Sequence, residues 1–125
     1  MEWSFNDGLP IYSQLIHRFK AAVASGELKP GEKLQSVRDL ALEAKVNPNT
    51  MQRALSELER EGLLFTQRTS GRFVTEELER LDALRASLAR EQVTGYFEAM
   101  KSIGFSREEA LKYIGSFTEG NNDDI

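Results

Sequence analysis

The sequence of 125 residues predicts a mainly α-helical protein with one small β-hairpin near the middle of the chain. Three observations support this fold class. Apolar residues recur at helical spacing along most of the chain, N-capping residues or proline precede several of these stretches, and a short segment containing glycine separates two strand-like runs. The length suits one domain, or one domain with an appendage.

The first predicted helix starts after Pro10, because proline lacks an N–H that would be unpaired in a first helical turn anyway. It ends at Gly26, which can adopt the left-handed conformation typical of a helix end. Its apolar stripe consists of Tyr12, Leu15, Ile16, Phe19 and Val23. This spacing predicts that one face of the helix is buried.

Two short helices with a tight turn between them are predicted next. Ser36 is a candidate N-cap for a helix over Val37–Ala44, and Asn47 is a candidate N-cap for a helix that begins at Pro48 and is stopped by Gly62. The second helix turns its apolar residues inward and presents polar residues on its opposite face. The inward set is Met51, Ala54, Leu55 and Leu58.

A hairpin follows directly, with Leu63–Gln67 and Arg72–Val74 as strands and Thr69–Gly71 as the loop. The segment Lys33–Leu34 is expected to be a very short strand or a straight connection. Two helices, a tight turn and a following hairpin are the order of a winged helix-turn-helix, whose second helix fits the major groove of DNA.

The rest of the chain predicts a helical hairpin. A long helix capped by Thr75 should run to about Ile103, and Ser106 with Glu109 forms a capping box for a last helix. These two helices carry more apolar surface than they can bury alone, which indicates a partner. The predicted dimerisation residues are Leu81, Leu84, Leu88, Phe97, Met100, Leu111 and Ile114. The expected organisation is a DNA-binding domain over 9–77, a helical dimerisation tail over 78–118 and disorder over 119–125.

Composition excludes several classes of protein. The chain has no cysteine and one histidine, so neither a disulfide framework nor a metal site is expected, and no cofactor or enzymatic activity is predicted. No signal peptide and no membrane-length apolar run are visible, which predicts a cytoplasmic protein without membrane contact. The net charge of −4 is unevenly distributed: residues 1–75 hold ten Lys/Arg against nine Asp/Glu, and the acidic excess lies beyond them.

The N-terminal half of the second short helix supplies the side chains that read base edges. Asparagine, glutamine and threonine both donate and accept hydrogen bonds, and the amides can pair with adenine through two bonds. Arginines on the preceding helix and beside the hairpin loop are candidates for contacts with phosphate or guanine. The predicted DNA-binding set is Ser36, Arg38, Asn47, Asn49, Thr50, Gln52, Arg53, Arg68, Gly71 and Arg72.

Structural roles explain some of these residues without DNA. Helix capping alone accounts for Ser36 and Asn47 equally well. Arg53 could pair with Glu57 and Arg38 with Asp39, which is the ordinary state of exposed charges. At the level of the whole chain, a winged helix used as a protein-interaction module without DNA reading stays open, because residues 1–75 are close to neutral.

Several spaced motifs identify a family. The segments Pro10–Leu15, Gly26–Leu34, Ser36–Ala41, Glu57–Gly62 and Gly71–Val74 occur in order, and together they resemble the GntR family of bacterial transcription regulators. The resemblance covers about residues 9–77. The segment Val46–Thr50, followed by a tail of only about fifty residues, is similar to the YtrA-type subfamily.

This resemblance implies a homodimer that binds inverted-repeat operators, often as a repressor of a transporter operon, with the short tail serving dimerisation. It also implies operator contacts by Arg38, Asn49, Thr50 and Gln52, and a wing glycine at Gly71. Four positions depart from the family pattern: Gln35 replaces a usual proline, Pro48 replaces a polar or basic residue found in many other members, and Thr69 and Arg72 replace the commoner wing glycine and threonine.

A small-molecule effector is compatible with such a regulator, but the helical hairpin shows no evident pocket in its sequence. The expected place for its site is a small cavity between the tail and the winged domain, near Trp3, Phe97 or Tyr113.

Overall fold

The structure is a computed structural model that describes residues 1–120, with side chains described for 1–117. Its helices and strands are α1 (Ile11–Ser25), α2 (Val37–Ala44), α3 (Pro48–Arg60), β1 (Leu64–Gln67), β2 (Gly71–Val74), α4 (Leu78–Ser102) and α5 (Arg107–Gly120). The mainly helical fold class with a small β-wing is confirmed, and so are the bounds of α2.

The chain divides into two compact units, Met1–Arg85 and Ala86–Ile125, and α4 passes from the first into the second. The predicted DNA-binding domain over 9–77 lies within the first unit, and the predicted tail over 78–118 begins in the first unit and continues into the second. The predicted disordered segment 119–125 begins within α5, whose backbone is helical to Gly120, and its remainder lies outside the described residues.

In the first unit, α1, α2 and β1 all pack against α3. This arrangement follows from the amphipathic pattern of α3, whose inward residues are almost completely buried. The largest fully buried side chains are Phe19, Leu15, Met51, Leu55, Leu58, Leu64 and Val74. All of them belong to this unit, so it has a hydrophobic core of its own.

The hairpin pairs in antiparallel register, with Leu64 opposite Val74 and Thr66 opposite Arg72. A third segment extends it, since Lys33 forms a bridge with Phe73 and the amide of Leu34 donates to the carbonyl of Arg72 at 2.9 Å. The expected short strand at Lys33–Leu34 is therefore paired to the outer edge of β2. This pairing joins the wing to the residues that lead into α2.

One predicted helix start, that of α4, differs from the structure. Thr75 does not cap α4, because its buried hydroxyl accepts the amide of Glu77 and the helix begins only at Leu78. By contrast, the capping box before α5 is formed as predicted: the amide of Ser106 donates to Glu109 at 2.9 Å, and the amide of Glu109 donates to the Ser106 hydroxyl at 3.1 Å.

The second unit buries very little. Between Ala86 and Phe117, the one buried side chain is Ala110. Large apolar side chains of α4, α5 and their connection remain exposed: Val93, Ile103, Leu111, Tyr113, Ile114 and Phe117.

No helix in the described part of the chain is long and apolar enough to cross a bilayer.

Candidate nucleic-acid interface

The turn between α2 and α3 is formed by residues whose backbone conformations and capping side chains end one helix and start the next. The hydroxyl of Ser36 accepts the amide of Asp39 at 3.1 Å and caps α2. Lys45 ends that helix in the left-handed conformation, with a φ of 59°, and the amide of Val46 donates to the carbonyl of Ala41. Asn47 then caps α3 through its side-chain oxygen, which accepts the amide of Asn49 at 2.7 Å. These contacts fix where α3 begins and which of its faces points outward.

The outward face of the first half of α3 is polar and accessible. Asn49, Gln52 and Arg53 are exposed, and Thr50 is half-buried. Within the described residues, the one hydrogen bond of the Gln52 side chain runs from its amide to the hydroxyl of Ser56 at 3.0 Å. This surface bond involves a neighbour one turn away, so the amide can exchange it for a base edge without leaving a buried polar group unpaired.

The two candidate arginines of the helix pair do not form the ion pairs that were open alternatives. Glu57 pairs with Arg60. The Arg53 guanidinium instead lies over the ring of Tyr12, 4.5 Å from its centroid, as in a cation–π contact. Arg38 is exposed, and no described residue forms an ion pair or hydrogen bond with it. Both cations therefore remain available for an anion from outside the protein.

The acidic residues of α3 lie in its second half. A hydrogen bond from Arg60 holds the pKa of Glu57 at about 2, and the hydroxyl of Thr66 is the main cause that lowers the pKa of Glu59. Both carboxylates are therefore negative at neutral pH, whereas residues 47–53 contain no acid. The charge distribution favours the N-terminal half of α3 as the end that approaches phosphates, which is also the end that the helix dipole favours.

The wing carries two arginines in different environments. Arg68 is exposed in the hairpin loop, whereas Arg72 on β2 is half-buried. The Nε of Arg72 donates to Oε1 of Glu59 on α3 at 3.2 Å, and the hydroxyl of Thr66 donates to the same oxygen. The side chain of Arg72 thus joins the wing to α3, and the carboxylate of Glu59 compensates its charge within the protein.

Gly71 has a φ of 111°, a conformation that side chains rarely adopt. A Cβ at this position would lie 3.1 Å from Cε of Lys33. The glycine therefore serves both the reversal of the hairpin and the close passage of a lysine side chain.

Four further residues belong to this surface. Lys33 crosses Gly71, Tyr12 supports Arg53, and Glu59 with Thr66 holds Arg72. The sequence indicates only a local structural role for each of them, for instance Tyr12 as a member of the apolar stripe of α1. No local signal identifies them, because each contact joins segments that are distant in the chain.

The predicted dimerisation residues fall into three groups. Leu81 and Leu84 are buried within the single chain, Leu88, Phe97 and Met100 are half-buried, and Leu111 and Ile114 are exposed. In this arrangement the first two are not accessible to a second copy, because the chain itself already covers them.

The second unit contains a groove of about 560 Å³, although no pocket was evident from its sequence. Its lining includes Arg90, Lys101 and Arg107 beside the rings of Phe97 and Phe105. The Arg107 guanidinium lies 4.3 Å from the centroid of the Phe97 ring. Of the other two residues expected near a pocket, Trp3 packs on Phe5 and Phe19 in the first unit, and Tyr113 packs on Phe105 in the second. Among the described residues, no cluster of acidic and histidine side chains could hold a metal ion.

Comparison with known proteins links this geometry to a family. A family model described as "Bacterial regulatory proteins, gntR family" matches residues 11–74, which span α1, α2, α3 and the wing. The HTH-type transcriptional regulator YhcF of Bacillus subtilis (strain 168) is 43% identical over 120 residues, which cover 96% of this chain and 99% of that protein. The HTH-type transcriptional repressor YtrA of the same organism is 48% identical over 67 residues, which cover 54% of this chain and 52% of the repressor.

Solved structures agree with these relatives. A GntR family transcriptional regulator from Listeria monocytogenes is similar with a TM-score of 0.80 and 33% identity, over 90% of this chain and 98% of that one. The DNA-binding domain of AraR, solved in complex with operator ORX1, is similar with a TM-score of 0.54 and 25% identity, over 60% of this chain and 96% of that one.

Proposed function

The chain belongs to the gntR family of bacterial regulatory proteins and is a DNA-binding transcriptional regulator, and we propose that it acts as a homodimeric repressor on inverted-repeat operators. The observation that carries this proposal is the first half of α3. It is free of acids, and its exposed polar face projects from a helix whose other face is firmly packed in the core.

The proposed base readers are Asn49, Thr50 and Gln52, because amides and hydroxyls near the start of a recognition helix reach base edges in the major groove. Ser36 and Asn47 cap α2 and α3, so they are proposed to aim the helix-turn-helix and to offer polar atoms to the backbone. Arg38 and Arg53 are proposed as contacts with phosphate or guanine. In the wing, Arg68 and the reversal at Gly71 complete the proposed interface.

One such head reads few base pairs, and a pair of heads can occupy two half-sites about one helical turn apart. The exposed apolar residues of the second unit support dimerisation by the tail. Leu111 and Ile114 lie three residues apart on α5 and therefore share a side of the helix. We place the dimer contact on this side, with Leu88, Phe97 and Met100 at its border and without the buried Leu81 and Leu84.

Repression would follow from occupation of an operator that overlaps a promoter. The similarity to the repressor YtrA over 67 residues supports repression and not activation. The proposed target is a transporter operon. Since operator DNA is its target, the protein is proposed to work in the bacterial cytoplasm.

The direct test uses a labelled duplex that covers the region upstream of the protein's own gene, with a shuffled duplex of equal length and composition as the control. Fluorescence anisotropy should show preferential binding of the upstream duplex, and footprinting should show two protected half-sites. Gln52→Ala and Arg38→Ala should each weaken specific binding by about 1–3 kcal/mol. Arg60→Ala is the matched control, because Arg60 lies at the end of α3 and pairs with Glu57.

Equal affinity of the wild-type chain for the upstream and shuffled duplexes, and for duplexes selected from a random library, would contradict the proposed function. Full specific affinity of both variants would contradict only the assignment of Gln52 and Arg38 as DNA contacts and would leave the proposed function in place.

We place a candidate effector site in the groove of the second unit. Its volume lies in the range of small-molecule pockets. Three cationic side chains and one carboxylate, Glu98, line it beside two phenylalanine rings, and this net positive set suits an organic anion. A thermal-shift screen of transporter substrates that are organic anions tests this placement, with Lys101→Ala as the variant that should lose any shift. No shift with any compound would favour control by expression level instead.

A further inference from the structure

The side chains of the wing are attached to the rest of the first unit differently at its base and toward its loop. At its base, Leu64 and Val74 are buried in the core. Toward the loop, apolar burial stops, and every residue from Thr66 to Gly71 is exposed. The bridge of Lys33 to Phe73 and the hydrogen bond from the amide of Leu34 to the carbonyl of Arg72 hold β2 along its outer edge. This pairing joins the wing to the segment before α2 and not to α3, and a short ribbon is marginally stable by itself, so the position of the outer half relative to α3 needs a further attachment.

The side-chain attachment of this outer half to α3 is one carboxylate. Thr66 and Arg72 are directly opposite each other in the hairpin, and both donate to Oε1 of Glu59. The Arg72 side chain is only 18% exposed, and that of Glu59 is 37% exposed. This three-residue contact, called here the wing clip, joins both strands of the wing to the recognition helix at a single atom.

The wing clip leaves Arg72 poorly suited to a phosphate. Its charge is already compensated by Glu59, whose pKa is lowered by the Thr66 hydroxyl first and also by Arg72, so the carboxylate is negative at neutral pH. A phosphate drawn to Arg72 would approach that negative charge as well. Arg68 is different, because it is exposed and no described residue forms an ion pair or hydrogen bond with it.

On these contacts we propose that Arg72 is a positioning residue and not a DNA contact: with Thr66 it fixes the wing to Glu59 on α3, so that Arg68 reaches the DNA backbone. The inference rests on the proposed DNA-binding function and refines the role of the wing in it. It also gives a structural role to Arg72, a position at which the family motif commonly has threonine.

The test measures the affinity of the full chain for its specific duplex as a function of salt concentration. Each phosphate contact adds about one unit to the slope of log affinity against log salt. Arg68→Ala should lower the slope by about one. Arg72→Ala should have a similar effect, because an unfixed wing no longer presents Arg68, and the double variant should lose no more than either single variant.

Glu59→Gln distinguishes most clearly between a direct phosphate contact by Arg72 and the wing clip. Removal of a negative charge near DNA should strengthen binding if Arg72 contacts phosphate directly. The wing clip predicts the opposite, a loss of about five-fold, because the attachment of the wing is broken. Thr66→Val removes the hydroxyl with no change of charge and should weaken binding in the same direction, which keeps the test decisive if an Arg72 variant folds poorly. Arg60→Ala, which breaks an ion pair elsewhere on α3, is the control and should leave the slope unchanged.

The proposal is overturned if the losses of slope in Arg68→Ala and Arg72→Ala add to about two in the double variant, as two independent phosphate contacts would. Stronger binding by Glu59→Gln, or unchanged binding by Arg68→Ala or by Arg72→Ala, overturns it too. In all these outcomes the wild-type chain still prefers its specific duplex, so the proposed function stands. Loss of that preference in the wild-type chain is the separate result that refutes the function itself.

Discussion

Residues 1–85 and residues 86–120 are both largely helical, but they bury their apolar side chains to very different extents. The first unit encloses Phe19, Met51, Leu55 and other large side chains completely, whereas the described side chains of the second unit bury only Ala110. Hydrophobic burial is the main favourable term in folding, so the first unit has its own source of stability. The second has amphipathic helices whose apolar sides remain in contact with solvent. The first unit is therefore expected to be stable by itself, and the tail is expected to gain its stability in the proposed dimer.

The largest expected effect tests the first half of this comparison. Phe19→Ala removes a fully buried ring that contacts Trp3, so it should lower the free energy of unfolding by about 3–5 kcal/mol. Phe117→Ala is the matched control in the tail, where the ring is 42% exposed, and it should cost no more than about 0.5 kcal/mol at concentrations where the chain is monomeric. Urea unfolding followed by far-ultraviolet circular dichroism, which reports the helices of both units, measures both. Equal losses in the two variants would contradict the contrast between the units.

The next effect tests whether the exposed apolar side of the tail is a dimer contact. Leu111→Asp combined with Ile114→Asp places two charges on the exposed side of α5, so the variant should dimerise at least about 100-fold more weakly. Light scattering coupled to size exclusion should show the mass of a monomer, and the affinity for a two-half-site operator should fall with it.

Lys112→Asp is the control for this pair, because it adds an acidic residue to the same helix without removing an apolar one. It should leave the mass of the dimer unchanged. A double variant that remains dimeric would show that the contact lies elsewhere on the chain.

The same contrast explains how much could be predicted from the sequence. The bounds of α2 and the capping box before α5 were predictable because their determinants lie within a few residues: Ser36 caps a helix that starts one residue later, and Ser106 and Glu109 are three residues apart. The exposed polar start of α3 followed from Asn47 and Pro48 in the same way.

The contacts that refine the site could not be predicted, because they join distant segments. Arg72 and Glu59 are thirteen residues apart, and neither has a periodic pattern that indicates the other. The bridge between Lys33 and Phe73 depends on the path of the whole first unit. Leu81 and Leu84 continue the same apolar spacing as the tail, so the spacing alone could not show that the chain buries them.

A smaller effect concerns the local order of the tail. Ser106→Ala removes the hydroxyl that caps α5, so it should destabilise that helix by about 0.5–2 kcal/mol. Ser116→Ala is the control, since Ser116 lies inside α5 and alanine is favourable there. Hydrogen exchange of the α5 amides should show faster exchange in the first variant and slower or equal exchange in the second. The proposed dimer would stabilise the tail, so the loss should be smaller at concentrations where the chain is dimeric. A loss independent of concentration would contradict stabilisation of the tail by dimerisation.

The smallest effect returns to the first unit and to its surface charges. The hydrogen bond from Arg60 lowers the pKa of Glu57 from an ordinary 4.5 to about 2, so the folded chain keeps this carboxylate charged at a pH where the unfolded chain protonates it. The contribution to stability is therefore complete above pH 4.5 and is lost as the pH falls from 4.5 toward 2. Glu57→Gln should remove this part of the acid sensitivity, measured as a smaller fall of the unfolding temperature between pH 5 and pH 3 than in the wild-type chain. Glu79→Gln is the control, because Glu79 is exposed and forms no hydrogen bond or ion pair with the described residues. Since both groups are accessible to solvent, the effect should be small beside that of Phe19→Ala, and an equal or larger effect would mean that surface charge and not the core dominates the stability of the reading head.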